Sequence, residues 1–419
     1  MTGKGLQAPR GTFDVLPEQS ALRLVVERAA RGILEAAGYQ RIETPIFEDT
    51  EVFRRTVGES TDIVQKEMYT FEDAGGRSLT LRPEVTAPIV RAYLQHGMHK
   101  LPQPVKLWYL GPCFRHERAQ AGRYRQFWQI GAEAIGSDDP AVDAESILLL
   151  AALLDELGVR GVRLRLATLG APASRAAYRD LLQAHLRAHE DRLSEEVRAR
   201  IDLNPLRAFD SDHPGTREVM ASAPALMDHL DAEDVEHFAE VRGMLDAVEL
   251  PYELDGSLVR GLDYYARTVF EFTSDALGAQ SGVGGGGRYD GLAEQLGGAR
   301  TPGMGWAAGV ERMLLSAEER PVPAPMCDLY IVIADDAEAR RPAAIALASE
   351  ARRAGVPAQL ELSGRSVKGQ FKQAARLKAR YVAVLGQEGI ELKDMESGEQ
   401  EPVQNASAVV AHVLRGRYA

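Results

Sequence analysis

Several stretches of the chain alternate apolar and polar residues in the way that predicts β-strands. Residues 267–272 place Thr268, Phe270 and Phe272 on one face and Arg267, Val269 and Glu271 on the other. This period of two is typical of a half-buried strand. Residues 105–119 and 125–136 are two further β-rich runs, and the polar loop between them contains Gly122. Together these two runs predict a long antiparallel hairpin.

Helical patterns fill other parts of the chain. Residues 18–37 are amphipathic, and residues 141–158 form an apolar run that ends at a glycine; both predict helices. From about residue 173 to residue 250 the sequence is rich in Ala, Arg, Glu and Leu and has little strand pattern. Strand patterns resume at about residue 252. The helical segment is therefore predicted to be an insertion between two parts of one sheet domain.

A separate unit is predicted at the C-terminal end of the sequence. Residues 321–325, PVPAP, are typical of a stiff linker. Beyond them, strand and helix patterns alternate in the order β-α-β-α-β. We therefore expect an α+β domain with an antiparallel sheet over residues 1–325, with the helical insertion at about 173–250, and an α/β domain over residues 326–419.

Composition narrows the class of protein. The chain has 419 residues, of which 45% are hydrophobic and 26% charged, and no apolar run approaches the ~20 residues of a membrane span. The N-terminal segment has neither an apolar signal core nor transit-peptide character. Two cysteines, Cys113 and Cys327, exclude a disulfide framework and a cysteine-based zinc site. Nine histidines are scattered without metal-ligand spacing. We expect a cytoplasmic protein without membrane attachment or a protein-bound metal.

The charge distribution bears on nucleic-acid binding. The formal net charge is -12, which argues against general affinity for nucleic acids. Two local segments are nevertheless strongly basic, residues 115–125 and residues 365–380, and the second contains no acidic residue. Because local patches of Lys and Arg suffice to bind phosphates, a specific nucleic-acid substrate remains compatible with the sequence.

The segment FRHERAQAGRYRQFWQIGAE, residues 114–133, concentrates charged and aromatic residues around one loop. A nucleoside triphosphate requires cations for its phosphates, an acceptor for the adenine amino group and a flat ring against the base. Arg115, Glu117 and Phe127 meet these three requirements. A solvated hairpin with surface ion pairs is an equally good interpretation of the segment in isolation.

Four other segments carry candidate functional residues. GVGGGGRYDG, residues 282–291, lacks the P-loop and dinucleotide-binding patterns, and is either a floor for a small flat ligand or a tight turn. Glu84 and Thr86 are two positions apart, so their side chains face the same way if the segment is extended, and they could then bind an ammonium group. Arg312 could reach a phosphate or lie on a helix surface. Arg260 either pairs with Asp263 at a strand entrance or faces an anion.

The order of these segments resembles that of the class II aminoacyl-tRNA synthetases over essentially the full chain. Residues 38–48, GYQRIETPIFE, resemble motif 1, residues 114–133 resemble motif 2, and residues 303–315, GMGWAAGVERMLL, resemble motif 3. Other segments are similar to signatures of the histidyl-tRNA synthetase family: RGTFDVLP, NPLRAFDS, LVRGLDYYARTVFEF, GGGGRYDGL and RSVKGQFKQAARLKARYVAVLG. The resemblance implies a catalytic domain with a helical insertion, followed by an α/β anticodon-binding domain.

The resemblance also implies a role for each candidate residue. For ATP, Arg115 would hold the α-phosphate and Arg312 the terminal phosphate. Glu117 and Phe127 would contact the adenine, and Arg123 is also expected to bind ATP. Glu84, Thr86 and Gln129 would bind the ammonium group of L-histidine, and Glu133 and Tyr265 its imidazole, with Tyr264 beside them. Arg260 would lie between the histidine carboxylate and the α-phosphate, and Arg115 and Arg260 are the expected catalytic residues. Arg118, Gln120, Lys368, Lys372 and Arg376 are expected to contact tRNA.

The implied activity is histidine–tRNA ligation by a homodimer, with Mg²⁺ accompanying ATP and histidine tRNA as the acceptor. Many family members have Gly between Glu84 and Thr86, whereas this chain has Val85, and Ala119 stands where Pro is frequent. One alternative is a non-catalytic, synthetase-like regulatory subunit of ATP phosphoribosyltransferase, and another is an RNA-binding module without amino-acid activation. Both are disfavoured because the ATP-binding arginines, the histidine-binding residues and residues 326–419 are all retained.

Overall fold

The computed structural model describes residues 6–58, 61, 63–118, 120, 122–258, 264–278, 281–319, 327–334 and 337–418. The chain divides into two compact units, Met1–Arg320 and Pro321–Ala419. The segment PVPAP that was predicted to be a linker lies outside the described residues, so the boundary after residue 325 stays a prediction. None of the described helices is long and apolar enough to cross a membrane.

An eight-stranded sheet is the framework of the first unit. Its strands are β1 (Gln40–Arg41), β5 (Val105–Phe114), β6 (Gln126–Ile135), β7 (Val162–Thr168), β8 (Glu253–Leu254), β9 (Ala266–Ser274), β10 (Gly282–Arg288) and β11 (Gly303–Gly309). Their order is β1-β5-β6-β11-β10-β9-β7-β8. The pairs β1–β5 and β7–β8 are parallel and the other neighbours are antiparallel. The predicted α+β architecture is confirmed.

A small three-stranded sheet and a set of helices complete this unit. The strands are β2 (Phe47–Asp49), β3 (Tyr69–Glu72) and β4 (Ser78–Leu81). The helices are α1 (Pro17–Ala36), α2 (Thr50–Val57), α3 (Thr86–Gln95), α4 (Pro140–Glu156), α5 (Pro172–Ala188), α6 (Glu195–Arg200), α7 (Pro214–Ala221), α8 (Ala232–Ala247), α9 (Leu292–Gln295) and α10 (Val310–Ser316). Helices α5 to α8 form the helical insertion between β7 and β8.

The predicted long hairpin is formed by β5 and β6, whose register runs from Val105 opposite Ile135 to Phe114 opposite Gln126. Strand β9 also follows the predicted alternation, but both of its faces carry buried residues. Phe270 packs into the hydrophobic cluster on one side of the sheet, and Val269 packs into the cluster on the other side. The second face is therefore partly covered as well: Val269 is buried there, whereas Arg267 and Glu271 are partly exposed.

The glycine run forms strand β10, so the alternative of a tight turn is wrong. Glycine is required there because the neighbouring backbones approach closely. A Cβ added to Gly286 would lie 1.9 Å from the carbonyl oxygen of Gly305 on β11. A Cβ added to Gly287 would lie 2.7 Å from the carbonyl oxygen of Thr268 on β9. The absence of side chains lets this strand pass beneath a cavity without filling it.

The second unit contains a five-stranded sheet. Its strands are β12 (Leu329–Ile333), β13 (Ala358–Leu360), β14 (Tyr381–Gly386), β15 (Gly389–Asp394) and β16 (Gln400–Val403), in the order β13-β12-β14-β15-β16. Its helices are α11 (Ala337–Arg353), α12 (Val367–Arg376) and α13 (Ala406–Tyr418). The predicted α/β alternation is confirmed. Within the basic segment 365–380, helix α12 ends at Arg376, so Arg380 lies beyond it.

Candidate active site

A cavity of about 630 Å³ lies over β10 and β11 in the first unit. One part of its wall is formed by Glu84, Thr86, Gln129, Tyr264 and Tyr265, and another by Arg115, Glu117, Arg123, Phe127 and Arg312. Gly282, Gly284 and Gly285 also line it. The structure thus brings together residues that the sequence separates by more than two hundred positions. Arg260, predicted to be catalytic, lies outside the described residues.

The first buried carboxyl group of the cavity, Glu84, precedes helix α3. Its Oε2 accepts a hydrogen bond from the backbone N–H of Thr86 at 2.7 Å, and its Oε1 accepts one from Ala87 at 3.1 Å. Burial raises the pKa of Glu84 to about 7, although these two N–H groups and the nearby Arg115 favour its charged form. Val85 has a φ of -120°, which a β-branched residue adopts without strain, so its replacement of glycine leaves this geometry intact.

The second buried carboxyl group, Glu133 on β6, is fully enclosed. Thr86 donates its hydroxyl hydrogen to Oε1 at 2.7 Å, and Tyr289 donates to Oε2 at 2.6 Å. Burial raises the pKa of Glu133 to about 8, against the effect of these two hydrogen bonds. A Cβ added to Gly305 would lie 1.7 Å from Oε2. The glycine of motif 3 therefore makes the space that this carboxyl group occupies.

Three tyrosines surround these carboxyl groups. The ring centroid of Tyr264 lies 4.7 Å from that of Tyr265 and 6.0 Å from that of Tyr289. Burial raises the pKa values of Tyr264 and Tyr289 well above that of a free phenol, so both hydroxyl groups remain protonated donors. Tyr289 was missed by the sequence reasoning, although it belongs to the GGGGRYDGL segment that was singled out for its glycines.

Gln129 has a buried partner that the sequence did not indicate. The thiol of Cys113, on the adjacent strand β5, donates to the Gln129 side-chain oxygen at 3.3 Å. Burial raises the pKa of Cys113 to about 12, so the thiol stays protonated and acts as a weak donor rather than as a nucleophile. Cys113 lies opposite Phe127 and Gln129 lies opposite Gly111, so Cys113 and Gln129 are diagonal neighbours across the β5–β6 hairpin.

The arginine-rich part of the cavity is built from the hairpin loop. Arg115 lies over the Phe127 ring at 5.3 Å, and its Nε donates to the carbonyl oxygen of Pro83 at 2.9 Å. Glu117 lies 3.9 Å from the Arg115 guanidinium and 3.1 Å from that of Arg123. Arg115, Glu117 and Phe127 are therefore adjacent. They supply the cation, the carboxylate and the aromatic ring that a nucleotide requires. The solvated-hairpin interpretation does not describe them, because all three line the cavity.

Arg312 follows strand β11 at the beginning of α10 and points into the same cavity. Burial lowers its pKa, and the positive charge of Arg123 lowers it further. Its Nε donates to the carbonyl oxygen of Gly282. Its neighbour Glu311 also lines the cavity, but its carboxylate is already engaged, accepting from the backbone N–H of Trp128 at 3.0 Å and pairing with Arg23. Two guanidinium groups that repel each other across a cavity form a site suited to an anion.

The residues predicted to contact tRNA are at the surface. Arg118 and Gln120 are exposed in the hairpin loop, and Lys368, Lys372 and Arg376 are exposed on α12 in the other unit. Ala119 lies outside the described residues. Among the residues that the structure describes, no group of three or more His, Cys, Asp or Glu side chains is arranged to hold a metal ion.

Known proteins with similar sequence and structure identify the family. The histidyl-tRNA synthetase model matches residues 11–313, and the anticodon binding domain model matches residues 328–411. A histidine–tRNA ligase of Halorhodospira halophila is 49% identical, covering 97% of this chain and 98% of the relative. One of Nocardia farcinica is 50% identical, covering 94% and 95%. The crystal structure of apo S. aureus histidyl-tRNA synthetase matches with a TM-score of 0.81 at 36% identity, covering 98% of this chain and 100% of that one.

The fold is that of a class II aminoacyl-tRNA synthetase with a C-terminal anticodon-binding domain. Within that class, the chain belongs to the histidyl-tRNA synthetase family. The predicted enzyme class and the predicted function, ATP-dependent ligation of histidine to tRNA, are confirmed. Histidine, ATP and tRNA are the substrates that this membership implies.

Replacing Glu133 by Gln should remove a pH-dependent loss of stability and weaken histidine binding. Burial raises the pKa of Glu133 from 4.5 to about 8, so in that pH window the folded protein keeps a proton that the unfolded chain releases. Stability therefore decreases as the pH rises through the window. Gln has no such proton, so Glu133→Gln should lose less stability than the wild type when thermal unfolding is followed from about pH 5 to about pH 9.

Calorimetric titration of the same variant should show weaker binding of histidine and nearly unchanged binding of ATP, because the carboxylate expected to accept from the imidazole becomes a mixed donor and acceptor. Glu72→Gln, at an exposed carboxyl group of β3, is the matched control and should change neither property. Equal losses for both ligands, or a pH profile parallel to that of the wild type, would contradict the assigned state of Glu133.

Proposed function

We propose that the cavity over β10 and β11 is the site where L-histidine reacts with ATP. An oxygen of the histidine carboxylate attacks the α-phosphorus, a new P–O bond forms, the bond between the α- and β-phosphates breaks, and pyrophosphate leaves with the electron pair. A ribose hydroxyl at the 3′ end of histidine tRNA then attacks the carbonyl carbon of the adenylate and releases AMP. The observation that carries this proposal is one cavity lined both by the buried carboxyl group of Glu84 and by converging guanidinium groups, with the enclosed carboxyl group of Glu133 directly behind Thr86 of its wall.

The carboxyl groups would receive the nitrogen atoms of histidine. Glu84, Thr86 and Gln129 would contact the α-ammonium group, and Glu133 and Tyr265 would each contact one imidazole nitrogen, with Tyr264 beside them. A substrate that lacks either imidazole nitrogen would leave a buried polar group unpaired, which strongly disfavours its binding. Tyr289 would act indirectly by holding Oε2 of Glu133 in place.

The guanidinium groups would receive ATP. Arg115 would bind the α-phosphate, Arg312 and Arg123 the phosphates beyond it, Glu117 the adenine amino group and Phe127 the face of the base. The repulsion between Arg123 and Arg312 would be relieved when the polyphosphate lies between them. Positioning and charge neutralisation are the main requirements of this reaction, because the attacking carboxylate is already a nucleophile.

Mg²⁺ would enter together with ATP. The described part of the cavity contains the carboxyl group of Glu271 but no cluster of three ligands. That donor set fits Mg²⁺, which usually takes one or two protein carboxylates together with phosphate oxygens and water. When bound, the ion would neutralise phosphate charge. Omitting Mg²⁺ from an activity assay tests this requirement.

The segment that resembles motif 1 would form a homodimer interface. Ile46 and Phe47 in this segment are exposed, and the ring of Phe47 packs at 6.4 Å from that of Phe71, which is exposed as well. Such a cluster of exposed apolar side chains is typical of an interaction surface, and sedimentation equilibrium measures the association. We place the protein in the cytoplasm, in keeping with its two unpaired, buried cysteines.

The regulatory-subunit alternative has less support. No described feature favours it, since Arg115 and Arg312 are retained and converge on one cavity. The relatives that match almost the whole chain are histidine–tRNA ligases. Catalysis of pyrophosphate exchange separates the two functions, because a purely regulatory subunit does not form the adenylate.

The purified protein should exchange labelled pyrophosphate into ATP only with histidine and Mg²⁺. The assay is run with each of the other amino acids and with histidinol, which keeps the imidazole but lacks the nucleophilic carboxylate. Arg115→Ala, which removes the proposed α-phosphate contact, should abolish exchange in a folded protein. Equal exchange with another amino acid, or none with histidine, would overturn the proposed function.

Replacing Arg260 by Ala should lower the rate of adenylate formation by ~100-fold or more, the scale expected for a preorganised group that stabilises developing charge. The described residues on either side, Leu258 and Tyr264, are buried, and Tyr264 lines the cavity. Single-turnover kinetics should show a much smaller change in histidine affinity than in rate. A rate within a few-fold of the wild type would instead favour a structural Arg260–Asp263 ion pair.

Neutralising Lys368, Lys372 and Arg376 together should flatten the salt dependence of tRNA binding. If these exposed residues of α12 contact phosphates, each lost contact lowers the slope of log K against log salt by ~0.7–0.9. Filter retention at several salt concentrations measures the slope. Arg353→Gln, at an exposed arginine of α11, is the control and should leave it unchanged. An unchanged slope in the triple variant would mean that the helix face is merely solvated.

A further inference from the structure

Arg267 adopts a backbone conformation that is unusual for its residue type. Its φ is 50°, in the left-handed region. Two other non-glycine residues of the described chain have positive φ, Glu249 and Lys378. Both lie just beyond the C-terminal ends of helices, α8 and α12, where the left-handed region is common. Arg267 lies instead at the start of strand β9, two residues after Tyr265, where the register against β10 shifts between Val269 and Ala266. A left-handed residue at such a β-bulge is commonly glycine, so an arginine there requires support from its surroundings.

The guanidinium group of Arg267 is held by the helical insertion. Its Nε donates to Oδ1 of Asp234 at 3.0 Å, and a terminal nitrogen pairs with Glu233. The Asp234 side chain is completely buried, whereas that of Glu233 is 78% exposed. The pair with Asp234 is therefore the one that water screens least, and it constrains Arg267 most strongly.

Asp234 also binds groups on other elements. Its Oδ2 accepts from the backbone N–H of Ala171 at 2.6 Å and from the hydroxyl group of Ser174 at 3.0 Å. Ala171 and Ser174 lie at the beginning of α5, and Asp234 lies in the first turn of α8. One buried carboxylate thus joins two helices of the insertion to the beginning of β9.

A second contact from the insertion reaches the same stretch of backbone. Arg175 of α5 donates from its guanidinium group to the carbonyl oxygen of Tyr265. Two backbone hydrogen bonds to the residues that follow β7 complete the restraint. The N–H of Leu169 donates to the carbonyl oxygen of Arg267 at 2.8 Å, and the N–H of Arg267 donates to the carbonyl oxygen of Gly170 at 2.9 Å. The two tyrosines of the cavity wall, Tyr264 and Tyr265, are separated from Arg267 by one residue, Ala266.

We propose that Asp234 and Arg267 are positioning residues for the imidazole contacts of Tyr264 and Tyr265, so that the helical insertion sets the affinity for histidine. This inference rests on the proposed function of the cavity. Asp234 and Arg267 act through the backbone: the ion pair keeps residue 267 left-handed, and this conformation fixes the direction from which the tyrosines enter the cavity. The proposed ATP contacts lie on the β5–β6 hairpin and α10 rather than on β9.

The test compares Asp234→Asn, Arg267→Gln and the double variant by pyrophosphate exchange and by calorimetric titration with histidine alone. Asp234→Asn keeps the side-chain shape but removes the charge that holds Arg267. The KM and Kd for histidine should rise roughly tenfold, the scale of mutations that displace a binding group without touching the ligand. The KM for ATP should stay within about twofold. The double variant should be no worse than the more affected single variant, because the two residues act as one unit.

Two controls separate positioning from loss of fold stability. Ser174→Ala removes a different hydrogen bond to the same carboxylate and leaves the pair with Arg267, so it should lower the melting temperature without raising the KM for histidine. Glu233→Gln removes the exposed partner and should change little. Circular dichroism confirms that each variant is folded under the assay conditions.

Each outcome decides the inference. It is overturned if folded Asp234→Asn keeps the wild-type KM for histidine, if the KM values for histidine and ATP rise together, or if Ser174→Ala reproduces the effect of Asp234→Asn. Wild-type protein that exchanges pyrophosphate with histidine, together with unaffected variants, refutes the positioning role alone. Absence of histidine-dependent exchange in the wild type refutes the proposed function and this inference with it.

Discussion

The burial of the Glu133 carboxyl group is the constraint on which the site depends. A carboxylate removed from water is strongly destabilised unless donors or cations surround it. The hydroxyl groups of Thr86 and Tyr289 provide two hydrogen bonds, and burial still raises the pKa of Glu133 to about 8. An additional N–H donor, such as the imidazole proposed to bind here, would favour the charged form of this group.

The architecture around Glu133 follows from this constraint. Strand β11 has glycine at position 305 because any side chain there would collide with the carboxyl group. Helix α3 presents Thr86 towards Glu133, and its first N–H groups are satisfied by Glu84, so both buried carboxyl groups share one helix N-terminus. The N-terminal end of a helix favours negative charge, which suits the ionised forms that a bound ammonium group requires. In another part of the cavity the arginines form a cluster of positive charges, which is suited to a polyphosphate.

Much of the fold could be predicted because its strands have strong local patterns. The β5–β6 hairpin, strand β9 and the α/β alternation of the second unit follow directly from residue spacing. The residues proposed to bind histidine and ATP could be named from the three motifs and the family signatures, and the described ones lie in or beside one cavity. Their roles remain proposals, and Arg260 lies outside the described residues.

Other features could not be predicted because they depend on contacts between distant segments. Strand β9 is covered on one face, and partly covered on the other, by elements far away in sequence. The glycine run of β10 is required by the backbones of its neighbouring strands, which a single segment cannot reveal. Tyr289 and Cys113 become relevant only because the sheet places them beside Glu133 and Gln129. Likewise, the left-handed Arg267 depends on a carboxylate that comes from the first turn of α8.

The most direct test of this account is the protonation state of Glu133 before and after histidine binds. Isotope-edited infrared difference spectroscopy at neutral pH distinguishes a protonated carboxyl group from a carboxylate. We predict that the ligand-free protein has a protonated carboxyl band, that histidine converts this band to a carboxylate band, and that Glu133→Gln lacks the change. A ligand-free spectrum with Glu133 already ionised, or a band that histidine leaves unaltered, would contradict the account.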